Sequence, residues 1–180
     1  LILGTWGVGA YNSLVKLDQQ VLQSWAQVEN VYQRRADLVP NLVETVKGAA
    51  AFERDTFIAV TEARARVGQV NIGNVPSGEQ MQRFQAAQDN LSSALSRLLV
   101  VVEKYPDLKA TANFQELQAQ LEGTENRIAV ERRRFNETAQ AFNTARRSFP
   151  TVLIAGILGF AEKPYFQAAP GSDQAPKVQF

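Results

Sequence analysis

Histidine and cysteine are both absent from the 180 residues of this chain. Their absence excludes a Ser-His-Asp triad, a cysteine nucleophile, a thiolate or imidazole zinc site and a His- or Cys-ligated haem. It also removes the usual proton shuttle near neutral pH. No disulfide can form, so cysteine usage carries no information on redox compartment. An excess of one charge sign is lacking too, since 19 Lys+Arg stand against 18 Asp+Glu, a net charge of +1. A general nucleic-acid binder needs concentrated basic surface to displace counterions, so no nucleic-acid partner is expected. Only carboxylates, Lys, Tyr, Ser and Thr are left for chemistry, and an enzyme is not expected.

The hydrophobic fraction of 45% and charged fraction of 21% describe an ordinary folded chain of one-domain length. The first ten residues (LILGTWGVGA) are uncharged. They amount to half of the roughly 20 apolar residues that cross a bilayer. They are expected to be the end of an N-terminal transmembrane or anchor segment, with Trp6 and Tyr11 at headgroup level. The plainer alternative is a piece of buried helix or an unstructured start.

Four amphipathic helices come next, at about 11–47, 50–68, 78–105 and 113–148. In the first, Leu14, Leu17, Val21, Trp25, Val28, Tyr32, Arg35, Val39, Leu42 and Val46 recur every three or four residues, one stripe on one face. The phase survives Pro40, which predicts a kinked but continuous helix, and Gly48 is the stop. In the second, Phe52, Phe57, Val60, Ala63 and Val67 form the inner face. Residues 69–78 read as a loop, and Ser77 with Gln80 as a capping box. Met81, Phe84, Leu91, Leu95, Leu98, Val102 and Tyr105 mark the third helix, which Pro106 closes. In the fourth, Phe114, Leu121, Ile128, Phe135, Phe142 and Phe149 stand at seven-residue intervals, a coiled-coil-like signal of left-handed packing. Asn113 and Glu116 read as its cap.

The pattern predicts an all-α, antiparallel up-down-up-down four-helix bundle with long first and fourth helices, preceded by the end of a membrane helix. The second helix is short, so the ends of the long pair must pack as a thinner layer or find a partner chain. If the first helix leaves the membrane, the fourth returns to it. Residues 149–166 are therefore expected to be a membrane-proximal or subunit-contact segment, the alternative being an element folded onto the bundle end. Residues 167–180 are expected to be an extended tail.

Several stretches resemble the LemA family of bacterial membrane-associated proteins: 11–21 (YNSLVKLDQQV), 25–29 (WAQVE), 33–48 (QRRADLVPNLVETVKG) and 61–65 (TEARA). Later matches are 105–110 (YPDLKA), Asn113/Phe114, 124–129 (TENRIA), and the Phe-Asn pairs Phe135/Asn136 and Phe142/Asn143. Phe149/Pro150, Gly159/Phe160, 164–166 (PYF) and a late PKVQF complete them. The resemblance implies an N-terminal anchor and an antiparallel four-helix bundle, with no established enzymatic activity or cofactor. Family members carry a hydrophobic span, or in some a lipoprotein-type cysteine, near the Tyr-Asn pair. Here Ala10 precedes Tyr11, so a transmembrane anchor is expected and a lipid anchor is not.

The densest polar region is Arg34, Arg35, Asp37, Asn41 and Glu44, a candidate interaction surface. Arg34 with Asp37, and Asp37 with Asn41, are spaced to interact along the helix. Arg35 falls on the apolar stripe, where an unpaired guanidinium is costly, and Glu131 is its expected partner. Arg132, Arg133 and Arg134 read as a solvated face. Arg146 and Arg147 suit the C-terminal end of the fourth helix and anionic headgroups. With Trp6, Tyr11, Phe149 and Phe160 they form the membrane-proximal candidates. A carboxylate di-metal centre needs Glu-x-x-His pairs, and no phosphate-binding loop is present. No catalytic, metal or cofactor residue is named.

These readings converge on a protein anchored by a single pass in the bacterial cell membrane. It is expected to act as a non-enzymatic scaffold that self-associates, with membrane lipid, copies of itself and an unidentified protein as partners. The rival reading is a membrane-tethered sensor that binds a ligand near Arg35 or the 69–78 loop and signals through another protein.

Overall fold

A computed structural model of the chain describes residues 2–48, 50, 53–70 and 73–167, with side chains from residue 5 onward. Among these residues every regular element is a helix. Four are long: α1 (Ile2–Lys47), α2 (Arg54–Gln69), α3 (Gly78–Val102) and α5 (Ala112–Arg147). The other two, α4 (Pro106–Lys109) and α6 (Val152–Ala155), are single turns.

The predicted stripe is the buried face of α1: its members from Leu14 to Val46 are buried, Leu17 partly so. One helix passes through Pro40, whose ring lies on the exposed side. Residues 2–10 continue α1 instead of forming a separate element. Its 46 residues make a rod of about 69 Å at 1.5 Å per residue. No helix among the described residues is long and apolar enough to cross a membrane. Within the described residues the apolar run gives way to Asn12, Lys16 and Asp18.

Three boundaries differ from expectation. Helix α2 opens at Arg54, later than residue 50; Phe52 of its predicted inner face lies outside the described residues. Helix α3 ends at Val102 and not at Tyr105. A residue before proline is pushed away from helical geometry, and Tyr105 stands at φ −123° and ψ 74°. Pro106 instead opens α4, where its missing N–H is harmless. Helix α5 is capped by Thr111, whose hydroxyl accepts from the Phe114 N–H at 3.4 Å, and not by Asn113. The Ser77/Gln80 capping box forms as predicted, with the Ser77 N–H donating to Gln80 Oε1 at 2.9 Å.

Pairings between helices give their directions. Ser24 Oγ meets Thr138 Oγ1 at 2.7 Å, and Asn113 donates to Thr45 Oγ1 at 3.3 Å, so α1 and α5 run oppositely. Arg64 on α2 donates to the Ala36 carbonyl at 3.0 Å, and α3 packs along α2.

The interior divides into two apolar clusters. One unites Val39, Leu42 and Val46 of α1 with side chains of α2, α3 and the first half of α5. The other unites Trp25 and Tyr32 of α1 with Phe84 of α3 and Phe135 and Phe142 of α5. Helix α2 supplies no buried residue to the second cluster, which is completed by Phe166 from beyond the helices. Phe149 leaves the seven-residue line because α5 stops at Arg147, and its ring is 82% exposed.

Candidate functional site

Arg35 sits where the two clusters meet. Its side chain is 2% exposed, and its two terminal nitrogens are fully engaged. Nη1 donates to Ser92 Oγ (2.6 Å) and Glu125 Oε1 (2.9 Å). Nη2 donates to the Gln88 carbonyl (3.0 Å) and Gln88 Oε1 (2.6 Å). The guanidinium also lies 5.1 Å from the centre of the Tyr32 ring. One cation thus ties α1, α3 and α5 together in a polar layer between apolar halves.

The expected partner, Glu131, is not the one used. The register set by Ser24/Thr138 and Thr45/Asn113 places position 35 opposite residues 124–126, nearly two turns from Glu131. Glu131 pairs with Arg134 at 3.3 Å instead.

The remaining members of the polar run point elsewhere. Arg34, Asp37, Asn41 and Glu44 are exposed, and Asp37 accepts from Gln33 at 2.8 Å. Arg34 and Asp37 line a groove of about 430 Å³ between α1 and α5, together with Leu38, Gln120 and Arg127. Glu44 borders a different hollow, beside Lys47 and Phe57. The structure therefore separates this cluster into one buried cation and a scattered outer rim.

A smaller pocket, about 220 Å³, opens between α1, α2 and α3, lined by Glu29, Tyr32, Gln33, Arg64 and Gln88 among others. Burial pushes the Glu29 carboxyl above its ordinary value, against a hydrogen bond from the Trp25 side chain. Glu29 Oε1 has no hydrogen-bond partner among the described residues. Burial likewise raises the Tyr32 hydroxyl, with Arg132 and Arg35 pulling it back. Among the described residues no group of three or more acidic side chains is placed to hold a metal ion.

At the other end, the start of α1 meets the segment after α5. The Tyr11 and Phe160 rings are 5.9 Å apart, and Arg146 Nε donates to the Phe160 carbonyl at 2.6 Å. Arg147 pairs with Glu162 at 2.8 Å. Tyr11, Arg146 and Phe160 are thus brought together, with Arg147 beside them through Glu162. Trp6 (37% exposed) and Phe149 remain on the surface. Gly7, Val8 and Tyr11 face Ile154, Ile157 and Leu158 across a hollow of about 280 Å³. Ile157 is 85% exposed and Leu153 62%, an apolar end with little polar cover.

Sequence reasoning missed the extended segment 161–167, which lies along α5. Asn143 Nδ2 donates to the Lys163 carbonyl at 2.8 Å, and its Oδ1 accepts from the Lys163 N–H at 2.9 Å. Asn136 holds Phe166 in the same two-point way, at 3.0 and 2.8 Å. Gln85 of α3 repeats it on Gln167, at 2.9 and 3.3 Å. Arg132, expected on a solvated face, lies half-buried over the Phe166 ring and donates to the Gln167 carbonyl. The available signal was the pair of Phe-Asn dipeptides seven residues apart, each an amide beside a core ring. Residues 168–180 of the predicted tail lie outside the described residues.

Known proteins resemble this chain over most of its length. Magnetosome protein MamQ of Magnetospirillum gryphiswaldense is 26% identical over 182 positions, covering 91% of this chain. Magnetosome protein MamQ 1 of Paramagnetospirillum magneticum matches equally, at 26% and 91%. The chain spans 66% of the length of these MamQ relatives. Protein LemA of Metamycoplasma hominis is 23% identical over 162 positions, covering 90% of this chain and 71% of that protein. The model of the LemA family matches residues 24–180, which takes in about half of α1 and every later helix. This chain belongs to the LemA family.

Proposed function

We propose that the chain is a non-enzymatic scaffold anchored at the bacterial membrane through its N-terminal end, and that it self-associates there. In this reading the four long helices act as an up-down-up-down bundle that holds one apolar end against the lipid. The observation that carries it is that end itself, where Val8, Tyr11, Ile157 and Leu158 are exposed together. Contiguous apolar surface of this kind is uncommon on a monomer in water and marks a membrane or protein contact. The absence of His and Cys from the whole sequence supports a role in contacts over catalysis. Flotation with phosphatidylcholine/phosphatidylglycerol vesicles tests it. The chain is expected to float, and Ile157→Asp with Leu158→Asp to sink; a wild-type chain left at the bottom of the gradient would sink the reading.

A membrane-tethered sensor is the second reading, and the pocket bounded by Glu29, Tyr32, Arg64 and Gln88 favours it. A small metabolite that raises the melting temperature of the wild type but not of Arg64→Ala would move the balance towards sensing.

A further inference from the structure

Residues 161–167 lie in a groove whose features are those of a peptide-recognition site. Amide side chains read the backbone at three points, and none of them depends on what the bound residues carry. The two Asn positions are seven residues apart on α5, about 10.5 Å along the axis. Lys163 and Phe166 are three residues apart, about 10 Å when extended. Helix repeat and strand rise therefore match, and a two-point clamp falls at each end of the stretch. Pro164 lies between the clamps, where no N–H is needed.

Specificity comes from two side chains. Phe166 is 5% exposed and packs on Trp25 (6.1 Å, stacked) and edge-on to Phe135 (5.6 Å). Lys163 Nζ reaches Asp18 at 2.6 Å and lies over the Phe142 ring. The site selects an extended basic-x-x-aromatic segment.

The connector between α5 and this segment is held at Ala155, which is buried, and at Phe160, whose carbonyl accepts from Arg146 at 2.6 Å, while much of the rest faces outward. It exposes Phe149, Leu153 and Ile157, and Gly159 turns it at φ +76°, a conformation natural to glycine. Its 13 residues, 148–160, can span about 43 Å when extended. Exchange of an identical segment between copies keeps the contacts of residues 161–167 and costs those of the connector, Ala155 and Phe160 among them.

We infer that the groove on α1, α3 and α5 is an extended-peptide site that accepts residues 161–167 of a second copy of this chain, so that copies join by exchanging this segment. The inference rests on the self-association proposed above and names its contact. The native absence of cysteine makes the test clean. One tagged chain carries Gln85→Cys, an untagged one carries Gln167→Cys, and the two are co-expressed and treated with a short bismaleimide. Cross-linked heterodimer is expected in excess of either homodimer. It should fall at least about tenfold when the tagged chain also carries Asn136→Ala and Asn143→Ala, since four hydrogen bonds are lost. A chain carrying both cysteines checks that the segment occupies the groove, independently of the Asn substitutions. Oligomers by light scattering with cross-links only within single chains would overturn segment exchange and leave the scaffold reading standing. A monomer at every concentration would overturn both.

Discussion

The two halves of the interior solve one packing problem with different materials. Where α2 is present, four helices close around a largely aliphatic cluster of Val, Leu and Ala, with Phe57 and Phe114. Where α2 has ended, three helices and an extended segment close around Trp25, Tyr32, Phe84, Phe135, Phe142 and Phe166. A helix with its side chains is about 10–12 Å wide, and an extended segment is thinner. Large rings occupy the space left over, meeting edge-on at 5.1 Å (Tyr32/Phe84) and 5.2 Å (Trp25/Phe84). The second difference is polar. A helix satisfies its own backbone, whereas an extended segment must borrow partners. Asn136, Asn143, Gln85 and Arg132 lend them. Short second helix, aromatic core and buried amides are three consequences of one geometry.

Arg35 marks the border between the halves, and its removal is expected to have the largest effect. Arg35→Ala strands the neutral Gln88 in the interior and opens a void, at a cost of about 2 to 5 kcal/mol. Arg35→Met keeps the volume and is expected to cost clearly less; equal losses by chemical denaturation would mean that the polar layer acts by charge alone.

A pair of truncations then separates the halves. Phe135→Ala on the aromatic side is expected to cost about 3 to 5 kcal/mol, and Leu98→Ala on the aliphatic side about 2 to 5. Magnitude does not distinguish them, but hydrogen exchange does. Phe135→Ala should free the amides of Lys163 and Phe166 while leaving α2 protected, and Leu98→Ala should do the reverse. Identical exchange patterns in the two variants would show that the halves unfold as one unit.

How far the sequence foretold this contrast depends on periodicity. The α1 stripe, the Ser77/Gln80 box and the α5 ring line were legible because helices repeat their burial every three to four residues. The polar role of position 35 was legible as well, since a guanidinium on an apolar stripe demands partners. Its actual carboxylate, Glu125, was not. Partner choice depends on the register between α1 and α5, and a shift of one or two turns leaves each stripe unchanged. Nor was the segment 161–167 legible, because an extended stretch whose hydrogen bonds go to side chains has no period to detect. Pro106 was legible as the end of the third helix, but the earlier stop at Val102 was not.

The smallest expected effect concerns the pocket beside the aromatic half. Because burial raises the Glu29 carboxyl in the folded state, that state favours the protonated form. The stability this group supports is full below the ordinary carboxylate value and is lost as pH rises through the raised one. Glu29→Gln is therefore expected to raise the melting temperature modestly near pH 7, with the gain vanishing as the pH falls below the carboxylate range. A gain that persists unchanged at low pH would assign the effect to packing.

The contrast between the halves holds only if residues 161–167 are part of the folded interior. Hydrogen exchange in the native chain, read at the Lys163 and Phe166 amides, tests this most directly. Both N–H groups donate to asparagine side chains, at 2.9 and 2.8 Å. The expected result is protection approaching that of α5, lost selectively at Phe166 in Asn136→Ala. Exchange at the rate of a free peptide at both positions would contradict it.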